Sequence, residues 1–186
     1  MTPSPRHPAP VDSGWPRLLL LCGMIVLAVA SRCLPHPWNF TPLGAVALFS
    51  GATLSSRWLS IFVPLVAIFA GDLLIGMHWL MPAVYACLLF NVWLGRRLDG
   101  RRGPLAVGGS AMVGAIVFFT VTNFASWVLF YEHTLAGLAS CYTLAIPYFG
   151  QTLGGDLFFS AVLFGSLALI ESRVPQLRSV ADPVSQ

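Results

Sequence analysis

Every basic residue of this chain is an arginine, and nine of the ten fall in alternate gaps between its apolar runs. Arg6 and Arg17 precede the first run, Arg57 separates the second from the third, and Arg96, Arg97, Arg101 and Arg102 separate the fourth from the fifth. Arg173 and Arg178 follow the sixth, and the intervening gaps hold only Arg32. Positive side chains beside membrane segments are retained in the cytoplasm, so the alternation predicts six transmembrane helices with both termini inside. The opposite gaps, at Pro35–Phe40, Asp72–Met81 and Phe130–Gly150, then face outward.

Composition agrees. With 56% apolar residues, 9% charged residues and a mean hydropathy of +0.78, the chain reads as an all-α integral membrane protein embedded in a lipid bilayer. The net charge of +3 reports orientation, and no basic stretch interleaved with aromatics points to nucleic acid. Residues 1–16 are Pro-rich and aperiodic, which predicts a disordered cytoplasmic tail; residues 17–173 make one six-helix membrane domain and 174–186 a second tail. Arg17 and the run Leu18–Ala30 have the order of a signal peptide, but no small-residue cleavage site follows, so the run is read as helix 1.

Pro42 sits at a favourable first-turn position for the second helix, with Thr41 as its expected N-cap. Ala45, Ala47 and Gly51 in that helix, and Gly108, Ser110, Gly114 and Ala115 in the fifth, would let neighbouring backbones approach closely. Pro64 predicts a kink in the third helix. The uncharged segment Leu135–Phe149 is weakly apolar because of Ser140, Tyr142 and Thr143. It is expected to lie across the outer mouth, ending at Pro147, with a separate sixth helix over Thr152–Ile170. Several runs are shorter than the roughly 20 residues of an upright span, so uneven depth is expected.

Asp72 and Asp156 fall at or inside membrane-embedded helix ends, where an ionisable group is functional or serves as a cap for a neighbouring helix. His36, His78 and His133 occupy separate outer gaps without metal-ligand spacing. No hydrolase elbow, HExxH or phosphate loop is present. The outer gaps are rich in aromatic and amide residues, among them Asn39, Phe40, Tyr85, Asn123, Tyr142 and Gln151, which suits a large polar ligand as well as an interfacial belt. Cys87 lies five residues after Pro82, close to the outer end of the fourth helix. It reads either as a small buried apolar residue or as a soft ligand for a metal.

The strings Leu34–Pro42 with Gly44-Ala45, Asp72–Gly76 with Val84-Tyr85, Thr122-Asn123-Phe124, Cys141-Tyr142 and Thr152–Leu157 together resemble a bacterial family of small membrane proteins. That family is related to the substrate-binding S components of energy-coupling-factor vitamin transporters, and Cys87 points within it to the BtuM-type cobalamin transporters. The resemblance covers about Arg32 to Ile170. It implies an S-component-like six-helix bundle in the bacterial inner membrane that takes cobalamin from the periplasm. Cys87 would ligate the corrin cobalt and displace cyanide from cyanocobalamin. His36, Asn39, Phe40, Asp72, Tyr85, Asn123, Tyr142 and Gln151 would contact the ligand. S components that share an energising module dock through Ala-x-x-x-Ala in helix 1; here Ala28 is followed four residues later by Arg32 and Ala30 by Leu34, so no dedicated module is expected. The alternatives are an S-component-like transporter of another vitamin, or of cobalt or nickel through Asp72, His36 and His78. An intramembrane enzyme using Cys87 and a structural subunit complete the set.

Overall fold

The computed structural model describes residues 14–30, 34, 35, 37, 39–98, 101–174 and 177. All regular structure among them is helical: α1 (Gly14–Ala30), α2 (Leu43–Thr53), α3 (Arg57–Ile75), α4 (Met81–Arg97), α5 (Pro104–Phe130) and α6 (Leu135–Arg173). Three stretches are long and apolar enough to cross a bilayer, within α3 (Arg57–Leu74), in α5 and in α6. α1 and α2 are apolar but shorter. Residues 1–13 of the expected first tail and the cation Arg32 lie outside the described residues.

α2 is the hub. It packs against every other helix, most extensively against α4, and Ala45 to Phe49 are fully buried. Its small residues explain this. A Cβ on Gly51 would overlap the Val92 carbonyl of α4, and one on Gly95 of α4 would overlap the Leu48 carbonyl of α2. Each glycine is a notch for the other helix's backbone, the close approach expected of Gly51. Likewise Gly114 of α5 gives way to the Asn91 side chain of α4, and Ala115 is fully buried.

α3 runs on through Pro64. Proline has no N–H to offer the carbonyl four residues back, which is that of Ser60. The buried Ser50 hydroxyl of α2 reaches that carbonyl at 2.9 Å, sharing its one hydrogen between it and Ala47 O. The vacancy in one helix is met by its neighbour.

Two expectations are corrected. Thr41 does not cap α2: the helix follows Pro42, with no side-chain bond from its N-cap. Leu135–Phe149 does not lie across the mouth as a separate piece, but forms the first part of a continuous 39-residue α6. It pairs with the second half of α5: Tyr142 OH donates to Thr120 O at 2.7 Å, Cys141 Sγ donates to Asn123 O at 3.3 Å, and Phe119 packs on Tyr142 and Phe149. Tyr142, one of the residues that make the segment weakly apolar, is satisfied by a backbone carbonyl of α5, and Pro147 is carried within the helix. At the usual rise α6 is about 58 Å long.

The arginines gather at one end of the bundle. Arg17 of α1 pairs with Glu171 of α6 at 2.6 Å, Arg102 approaches the same carboxylate at 3.9 Å, and Arg96 reaches Leu54 O and Ser60 Oγ near the α2–α3 turn. Among the described residues, Asn39, Asp72, His78, Tyr148 and Phe149 from the other gaps lie at the opposite end.

Candidate functional site

α2 has only 11 residues and is about 16 Å long, roughly half of a bilayer's hydrocarbon core. Its C-terminal end packs near Arg96, so the space beyond its N-terminus is left open by the longer helices around it. A cavity of about 330 Å³ occupies that space. Its floor is the start of α2, at Leu43 and Gly44, and its walls come from α3, α4, α5 and α6.

Asp156 of α6 fixes the floor. The carboxylate accepts the backbone N–H groups of Gly44 and Ala45, which would otherwise be orphaned in the first turn of α2. A Cβ on Gly44 would stand 2.5 Å from Asp156 Oδ1, so only glycine lets the carboxylate come so close. Asp156 is 5% exposed and is the helix cap that sequence reading placed beside a functional role. On the opposite wall Asp72, 3% exposed, accepts from Tyr85 OH at 2.9 Å.

Four of the other polar residues in the walls have a common character. Thr122 Oγ1 donates to Phe118 O, Asn123 Nδ2 to Phe119 O, Thr152 Oγ1 to Tyr148 O and Asn91 Nδ2 to Cys87 O, each a carbonyl four residues back on its own helix. The two threonine hydroxyl hydrogens and one N–H of each amide are thus engaged with the backbone, while the oxygen lone pairs and the second N–H of each amide remain. Together with two carboxylates this makes an acceptor-rich chamber, and no Arg lines it. Phe118, Phe119, Tyr148 and Phe149 supply flat apolar faces on one side.

Of the residues singled out from sequence, Asn39, Asp72, His78, Asn123 and Asp156 line the cavity. Asn39 does so from a left-handed backbone, φ 61°, at the bend into α2. Tyr85 is held on Asp72 and stands behind the wall. Phe40 packs away on Phe158 and Phe159, Tyr142 faces α5, and Gln151 lies outside the lining, its Oε1 buried. Cys87 is 2% exposed and does not line the space, although Val84 and Asn91, three residues before and four after it on the same helical face, both do. His36 lies outside the described residues. Among the described residues no three His, Cys, Asp or Glu side chains converge as a metal site.

Asn91, Thr122 and Thr152 were missed as site residues. Asn91 carried a signal: it is an isolated amide in the apolar stretch Ala86–Leu94, where an unmet polar group is costly.

The apolar helices and the partly open cavity at one end define a helical membrane protein with a small-molecule-sized cavity. The chain belongs to a family of unknown function, DUF6580, whose pattern it matches over residues 12–177. No curated protein and no solved structure matches it.

Proposed function

We propose that this chain is a solute-binding membrane transporter of the S-component type, with six membrane segments, both termini in the cytoplasm and the cavity facing outward in a bacterial inner membrane. The arginine alternation supports the orientation. The ligand class follows from the chamber: about 330 Å³ suits a molecule the size of an ordinary vitamin. An acceptor-rich wall without arginine favours a neutral or cationic solute bearing several N–H groups, and disfavours an anion. Four aromatic rings favour a flat one. The observation that carries this reading is the pair of buried carboxylates, Asp72 and Asp156, on a chamber that no arginine lines.

The test is to extract small molecules from protein purified in mild detergent and identify them by mass spectrometry. A flat N–H-bearing compound retained by wild type and lost in Phe119→Ala is expected; retention of an organic anion instead would refute the ligand class.

Cobalamin remains the second reading, favoured by Cys87 lying on the cavity-facing side of α4 and by the carboxamide N–H groups that a corrinoid carries. It requires the walls to part, because a corrinoid far exceeds the chamber and the thiol is covered. Cyanocobalamin added to purified protein should then show shifted corrin absorption that Cys87→Ser abolishes, and repeated turnover would distinguish decyanation from single binding. An identical spectrum in both proteins rejects cobalt ligation.

A further inference from the structure

The arginine end of the bundle contains a second concavity, of about 360 Å³, between the end of α4 and the start of α5. Its polar rim consists of Arg97 and Arg101, and its wall of Leu98, Leu105, Ala106 and Gly109. It is shallow and open along the side of the bundle, and Leu105 is 93% exposed. The solute chamber lies at the opposite end and shares no residue with it.

We propose that this groove is a binding site for one anionic phospholipid, its phosphate held at the rim and an acyl chain laid along Leu105 and Gly109. Three independent features support that occupant. Arg97 is poised: its guanidinium lies 4.8 Å from the centre of the Trp93 ring, which limits its freedom while leaving its N–H edge available. The start of α5 is uncapped by any side chain and has no acidic residue in its first turn, and Pro104 carries no N–H. Val107 N–H bonds Gly103 O, so the N–H groups of Leu105 and Ala106, both on the groove, are the two that need an outside acceptor. Below this anion-seeking rim the wall is apolar and open to the hydrocarbon, which suits an amphiphile and does not suit a free ion. The inference rests on membrane embedding alone and is independent of which solute the opposite chamber takes.

The test uses full-length protein in a neutral maltoside detergent, given phosphatidylglycerol, phosphatidylcholine with the same acyl chains, or inorganic phosphate. Bound lipid is counted by native mass spectrometry. Wild type should keep one phosphatidylglycerol and no phosphatidylcholine, and retention should fall roughly tenfold or more in the Arg97→Gln/Arg101→Gln double variant. Arg57→Gln, an exposed arginine away from the groove, should retain lipid like wild type. Gly109→Leu should also lose the lipid: a Cβ there meets nothing within 4 Å, so no clash opposes it, but its side chain fills the acyl path with both arginines intact. Equal retention of both lipids, undiminished retention in the double variant, or displacement of the lipid by phosphate alone would each overturn the proposal. Should the double variant fail to fold, full retention by Gly109→Leu overturns it and loss upholds it.

Discussion

The two ends of this bundle are built from the same six helices and do opposite things with polar groups. At the arginine end, charged side chains reach partners at helix ends: Arg17 a carboxylate, Arg96 a carbonyl and a hydroxyl. There α2 and α4 interlock through Gly51 and Gly95 with no space between them. At the other end, α2 has stopped, and amides, hydroxyls and carboxylates from the surrounding helices turn toward a chamber. The lesson is that the cavity is made by the shortness of one helix, and the closed end by the smallness of that helix's residues.

The largest effect is expected where closure is tested directly. Gly51→Val or Gly95→Val places carbon against a backbone carbonyl that cannot swing aside, and should cost about 3 kcal/mol or more. The check is thermal unfolding in detergent, with loss of monodisperse protein as the extreme; a stability within error of wild type would break the account of the closed end. Next comes the chamber floor. Asp156→Ala removes two charge-assisted bonds and leaves two buried N–H groups unmet, for about 2–3 kcal/mol. Chemical denaturation would show it, with Asp156→Asn milder because its amide oxygen still accepts. Ser50→Ala, which strands the Ser60 carbonyl beside Pro64, should cost about 1–2 kcal/mol by the same measurement. The smallest effect on stability belongs to the chamber wall: Asn123→Ala should change the melting point little and weaken solute retention by roughly tenfold. If it unfolded the protein without altering retention, the contrast between a packing end and a binding end would be lost.

Much of this was legible in the sequence. Apolar runs located the helices, and Ala45, Ala47 and Gly51 of α2 and Gly114 and Ala115 of α5 announced close packing, whereas Gly108 meets only a side-chain methyl. Asp156 was legible as a cap in kind, but its recipient was not, since nothing local links it to Gly44 on a distant helix. Leu135–Phe149 reads as a separate piece because Ser140, Tyr142 and Thr143 make it weakly apolar and Pro147 suggests an end, whereas α6 runs through both. Tyr142 is satisfied across the hairpin by Thr120. Cys87 shows the finer limit: sequence places it at a depth along α4, and a helix turned by a few tens of degrees decides whether it lines the chamber or sits behind it.

The bond from Ser50 to the carbonyl below Pro64 also bears on biogenesis. A carbonyl left unanswered by Pro64 is poorly solvated by acyl chains, so the bond from Ser50 ties the stability of α3 in lipid to α2, the helix that precedes it in the chain. α2, too short to cross alone, in turn needs that company to stay buried. The pair should therefore enter the lipid as one unit, which makes an imperfection in a single helix the instruction for assembly order.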